Sequence, residues 1–345
     1  MTRRKSQRTL LGIETLESRS LPAGNVVAVV TEGLLTILGD GADNAISINY
    51  SKSTGKYSIV GNSLAGAPTL VNGVDTSVTP VVVGGVKSVQ ARMGEGDDQL
   101  DFGGVRTKKA HFKERLDVDL GDGDDSVTIG RVGKESGNTG QLALAVKVGE
   151  GSVIRGGNGR DHLELANLRV KNSLKVFAGS GSDDVIFATE RPRNGRRDMQ
   201  IFPVLVQGGL RVDLGSGDDT LSALHARTDL NFEVMDPSGE ADLTLEDVMA
   251  RSKIDIETGD ESDHLDLDFV FASQFNLDTN SGRDEIDLRH GDFRRLNFNM
   301  GISRDELMIR QTQVSQLTLL DGGPDGSDFS DSGNKLRTLI KRRIN

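Results

Sequence analysis

Residues 215–309 contain GSGDDTLSA (215–223), PSGEADLTL (237–245), GDESDHLDL (259–267), NSGRDEIDL (280–288) and GISRDELMI (301–309), five versions of one phrase. The position of Asp219 is held by Ala241, Asp263, Asp284 and Asp305 in the later copies, so the phrase returns after 22, 22, 21 and 21 residues. Each copy closes on alternating apolar residues and is followed by a second alternating pair. Leu243/Leu245 precede Ile254/Ile256, Leu265/Leu267 precede Phe275/Leu277, and Ile286/Leu288 precede Leu296/Phe298. Alternation with period two marks β-strands. Two short strands bury too little apolar surface to stand alone, whereas units stacked at a fixed period share one continuous core. No unit carries the i, i+3, i+4, i+7 stripe of a packed helix. The expected fold is therefore all-β: a parallel β-solenoid, β-helix-like or β-roll-like, with coils of about 21–22 residues.

Upstream the same unit is interrupted. GEGDDQLDF (94–102) and GDGDDSVTI (121–129) lie 27 residues apart, and steps of 36 residues separate Asp125 from Asp161 and Asp183 from Asp219. The surplus residues must loop out of the coil. The second such loop holds Arg191, Arg193, Arg196 and Arg197. Before residue 94 the chain alternates as VVAVV (26–30), LLTIL (34–38) and AISINY (45–50), with Asp43 expected at the repeat's Asp position. Strands in hairpins there would cover the first coil, whose end otherwise exposes unpaired backbone. This divides the chain into a basic amino-terminal segment (1–24), a β cap (25–93), the solenoid (94–333) and a basic carboxyl-terminal tail (334–345), read as a capping helix or disordered.

The formal charge of the 345-residue chain is −11. Residues 1–20 carry five cations against Glu14 and Glu17, and residues 335–345 carry five cations unopposed, which leaves −19 on the body between them. Such a body repels nucleic acid and attracts cations. With no Cys, disulfides, thiolate metal sites and cysteine nucleophiles are all excluded. No stretch offers the roughly 20 apolar residues of a membrane-spanning helix.

Stacking makes the Asp positions chemically demanding. Parallel strands lie about 4.8 Å apart, so equivalent carboxylates form a column of like charge. Each adjacent pair repels by roughly 1 kcal/mol in water and about 3.5 kcal/mol at an effective dielectric near 20. A hard divalent cation held by Asp oxygens and turn carbonyls relieves this, and glycine supplies the positive φ such turns need.

Residues 156–164, GGNGRDHLE, match the nine-residue pattern GGxGxDxUx, where U is a large aliphatic residue. The chain thus resembles the RTX, or haemolysin-type, calcium-binding repeat proteins over much of residues 94–221, with weaker units to about 330. The resemblance implies a parallel β-roll with Ca²⁺ between turns of successive coils. It assigns calcium to Asp98, Asp125, Asp161, Asp183 and Asp219, with turn residues Gly94, Gly96, Gly121, Gly123, Gly157, Gly159, Gly179, Gly181, Gly215 and Gly217. Asp263, Asp284 and Asp305 follow the break at Ala241 in turns poorer in glycine and are not assigned. The family sets two such motifs per coil; here one motif recurs per coil, so one edge alone can carry metal.

Residues 8–23, RTLLGIETLESRSLPA, resemble the amino-terminal LEPR-type segment of secreted and surface-associated bacterial proteins, through Leu16, Glu17, Arg19, Leu21 and Pro22. That likeness implies export to the exterior or the cell surface. GxSxG, HExxH and GxxxxGK[ST] are all missing, and the GxG pairs run into Asp, which repels phosphate. His162 and His264 face outward by alternation, and His111, His225 and His290 have no partner legible in the sequence. The expectation is a secreted, calcium-stabilised structural or adhesive solenoid, not an enzyme, whose partners are calcium and a cell-surface or extracellular polysaccharide or protein. The alternative is a calcium-dependent β-helical polysaccharide lyase or glycan-binding protein, which would require a contiguous Arg/Lys cleft beside the Asp column.

Overall fold

The structure, a computed structural model, describes residues 24–51, 54–64, 67–104, 110–130, 132–134, 141–143, 146–187, 190–192, 199–201 and 203–344. The amino-terminal segment through Pro22 and the loop residues Arg193, Arg196 and Arg197 lie outside them. Among the described residues there is no helix, and parallel strands assemble into two long sheets of a solenoid-like β fold.

The alternation seen in the sequence becomes the register of these sheets. In the 13-stranded sheet Leu243 pairs with Leu265, Leu265 with Ile286, and Ile286 with Leu307. All four are buried. In the opposing sheet Val212 pairs with Val234, Val234 with Ile256, Ile256 with Leu277 and Leu277 with Phe298, again all buried. Like residues therefore stack in columns, and the apolar columns of both sheets form one core. Fully burying one such side chain contributes roughly 1.5–3 kcal/mol, so each added unit strengthens its neighbours.

The surplus residues leave the parallel sheets as short antiparallel hairpins, Val132–Lys134 with Gln141–Ala143 and Glu190–Pro192 with Met199–Ile201. At the amino end, Asn25–Thr31 and Leu34–Leu38 form a hairpin, and Leu34–Leu38 then pairs in parallel with Ser88–Glu95. Ala45–Ser51 likewise pairs with Lys56–Gly61 on one side and Gln99–Gly104 on the other.

Two expectations need correction. Residues 334–344 are not helical: Lys335–Leu336 and Leu339–Arg342 pair in parallel with Gln313–Asp321. Their basic side chains lie on the sheet's outer face or end, where Lys341 covers the Phe329 ring at 4.0 Å. The repeat's Asp position in the first coil belongs to Asn44 and not to Asp43, because Ala45 is in register with Gln99 and the Asn44 N–H meets Asp98.

Candidate functional site

Every unit turns from one sheet to the other through its glycine-rich phrase, which sets the inward Asp of each coil against that of the next. All ten glycines assigned from the sequence have positive φ, between 100° and 143°. The reason is visible at Gly157: a Cβ there would stand 1.7 Å from the Gly121 carbonyl oxygen of the preceding coil. Close stacking alone thus demands glycine at these positions.

Asp98, Asp125, Asp161, Asp183 and Asp219 form one column and are at most 2% exposed. Each carboxylate accepts the backbone N–H of the equivalent residue one coil earlier. Asp98 N–H donates to Asp125 Oδ1 at 2.7 Å, Asp125 to Asp161 at 3.0 Å, Asp161 to Asp183 at 2.8 Å and Asp183 to Asp219 at 2.7 Å. The column continues past the break. Ala241 N–H donates to Asp263 Oδ1 at 2.9 Å, Asp263 to Asp284 at 3.0 Å and Asp284 to Asp305 at 3.1 Å. Asp263, Asp284 and Asp305, left unassigned from the sequence, are as deeply buried as the others. Neutral residues end the column: Asn44 N–H caps Asp98 at 2.7 Å, and Ser327 Oγ donates to Asp305 Oδ2 at 2.9 Å.

The second carboxylate oxygen, Oδ2, is buried without a hydrogen-bond partner in both halves, at Asp263 and Asp284 as well as at Asp98, Asp125, Asp161, Asp183 and Asp219. The residue five positions earlier faces it, and in the earlier coils that residue is Met93, Leu120, Gly156, Ala178 or Leu214, none with a donor. In the later coils it is Thr258 or Thr279, whose hydroxyls temper Asp263 and Asp284 without meeting full hydrogen-bond geometry.

Burial raises the carboxyl pKa throughout, and neighbouring column acids add to it at Asp98, Asp161, Asp219 and Asp284. Asp98, Asp161 and Asp219 are pushed up to about 7 and Asp125 to about 6, while the same burial raises Asp183. Hydrogen bonds from backbone N–H groups oppose the shift but do not cancel it. A second, exposed column runs alongside, its hydrogen bonds in the opposite direction. Asp97 N–H donates to Asp43 Oδ1 at 3.0 Å and Asp124 N–H to Asp97 Oδ1 at 2.9 Å. Asp43 therefore belongs to the outer set.

No three acidic or imidazole side chains converge on one point among the described residues. A cation would be held by carboxylates of successive coils together with backbone carbonyls, the oxygen donors that calcium takes. The residues fit such an ion best at Gly156. A Cβ there would lie 2.3 Å from Asp161 Oδ2 and 2.4 Å from the Ala178 carbonyl oxygen, so two oxygens border a space that only glycine leaves free.

No family model, curated protein or solved structure matches the chain. Among the described residues, no helix is long and apolar enough to cross a membrane.

Three histidines have partners one coil away, which adjacency in sequence hides. His162 meets Asp184 at 2.9 Å, His225 meets Asp247 at 2.8 Å and His290 meets Asp268 at 2.7 Å, all in corners or on outer faces. The exposed cations Lys147, Arg169 and Lys171 line a groove on the short strands Val146–Val148 and Leu168–Val170, and not beside the Gly/Asp turns. A second pocket, lined by Arg283, Arg304, Asp305 and Asp328, lies beside the last carboxylate of the column and brings two arginines to it.

Proposed function

We propose that this chain is a secreted or surface-located β-solenoid of 21–22-residue coils, non-catalytic and serving a structural or adhesive role, with calcium neutralising its carboxylate column. One observation carries the reading: five consecutive buried aspartates each present an oxygen with no donor. Leaving an ionised carboxylate buried and unpaired costs several kcal/mol, and an apolar residue in its place would remove that cost. Retained acids at fixed spacing call for a counterion. Likeness to the RTX repeats and to the LEPR-type segment supports the calcium and export parts of the proposal.

Calcium then acts as a staple between coils, binding the folded chain and not the unfolded one. Its effect concentrates on residues 98–219, because the turns there keep both of their positive-φ glycines, whereas the turns before Asp263, Asp284 and Asp305 keep at most one. Hydrogen exchange with and without CaCl₂ is the test. Amides of Asp98, Asp125, Asp161 and Asp183 gain more protection on calcium addition than those of Asp263 and Asp284; equal gains in both halves, or none, count against the proposal.

A further inference from the structure

Asp236 is the most anomalous residue of the interior. It is 0% exposed, and neither carboxylate oxygen has a hydrogen-bond partner. Its backbone N–H is satisfied by Glu257 O at 2.9 Å, so the peptide fits its place while the side chain does not. Coils elsewhere fill the same position with the buried apolar residues Met93, Leu120, Ala178 and Leu214, with Gly156, or with the hydroxyls of Thr258 and Thr279, and none with an acid. A leucine would cost nothing there, whereas a lone buried carboxylate costs several kcal/mol.

Its placement shows what it faces. The residue at this position reaches the column Asp of its own coil, as the Gly156 direction toward Asp161 Oδ2 and the Thr258 and Thr279 hydroxyls demonstrate. In this coil the column residue is Ala241, whose methyl leaves room for the Asp236 carboxylate. Column carboxylates otherwise take the N–H of the preceding coil, here that of Asp219. That N–H donates instead to Glu240 O at 2.9 Å. The Asp236 side chain therefore enters the space where an acid at 241 would lie, next to the coil of Asp219, whose Oδ2 is also unpartnered. Burial foremost, then the charges of Asp219 and Asp263, drive its pKa up to about 8. The Ser238 N–H tempers this rise without meeting hydrogen-bond geometry at either oxygen.

We infer that Asp236 and Asp219 together hold a divalent cation of the calcium type, so that the ion ladder crosses the coil where the sequence repeat loses its Asp. The site rests on the calcium reading above and adds to it a ligand from outside the repeat phrase. It also accounts for the pairing of two departures in one coil, Ala where Asp recurs and Asp where other coils hold an uncharged residue.

The test uses the full-length, chelator-stripped chain titrated with CaCl₂, with bound ions counted by native mass spectrometry. Asp236→Asn binds one ion fewer than the wild type. Adding Ala241→Asp to Asp236→Asn returns the acid to the repeat position and restores the wild-type count. Asp236→Leu, which reproduces Leu214 one coil earlier, decides the matter should the Asn variant fail to fold: it too loses one ion. A wild-type count in both single variants, with an ion still lost in Asp161→Asn, overturns the Asp236 site and spares the broader reading. A wild-type chain that takes up no calcium overturns both.

Discussion

With chelator present, the melting temperature of this chain rises as pH is lowered from about 8 to about 6. The sign follows from linkage. Asp98, Asp125, Asp161, Asp219 and Asp284 of the column and the adjacent Asp236 have folded-state pKa values of about 6 to 8 against an ordinary value near 3.8, raised chiefly by burial. A group with a raised folded pKa contributes its stability in full below the unfolded pKa and loses it as pH climbs through the folded one. The window is thus pH 6 to 8, where exposed carboxylates no longer titrate. One pKa unit corresponds to about 1.4 kcal/mol, so even partial titration of a few column members amounts to several kcal/mol. Calcium reverses the trend, because protons and cation compete for the same oxygens. Adding CaCl₂ raises the melting temperature most near pH 8 and least near pH 6. A profile flat in chelator over this window would mean that the column is not protonated on folding and carries no unmet charge.

Asp161→Asn changes sign with calcium. In chelator the variant melts no lower than the wild type, and higher near pH 8. Its Oδ1 still accepts the Asp125 N–H, while the new amide N–H₂ stands where Oδ2 bordered the Ala178 carbonyl oxygen. Repulsion from Asp125 and Asp183 is removed at the same time. Replacing an unpartnered buried acceptor by a donor toward a carbonyl is worth roughly 1–3 kcal/mol. In saturating CaCl₂ the order inverts, because a charged ligand has been exchanged for a neutral one and the binding contribution falls with affinity. Melting curves of both proteins in the two buffers measure this directly. A variant as stable as the wild type in calcium would place no ion at Asp161.

The sheets were legible because the evidence for them is local. Alternating pairs such as Leu265/Leu267 and Phe275/Leu277 declare strands, and their constant offset declares stacking, which the register of Leu265 with Ile286 reproduces. The column was legible where a turn glycine and an Asp coincide, and misread by one residue at Asp43. An acidic doublet contributes to both an inner and an outer column, and in the first coil the inner member is the neutral Asn44. Asp236 was missed because its significance lies in the exception: it is the acid at a position that other coils fill with uncharged residues, an equivalence set by strand register and not by local sequence. The carboxyl-terminal strands were missed for a related reason. KLRTLIKRRI shows no alternation of its own, and its pairing is dictated by the edge that Gln313–Asp321 presents. Histidine partners such as Asp247 for His225 sit a whole coil apart, beyond any local pattern.

Calorimetric titration of the chelator-stripped chain with CaCl₂ near pH 7.5 tests the central claim most directly. Several calcium ions bind saturably per chain, and protons released from the column carboxyls make the measured heat vary with the buffer's ionisation enthalpy. Absence of saturable heat, with a melting temperature unmoved by millimolar calcium, would contradict it.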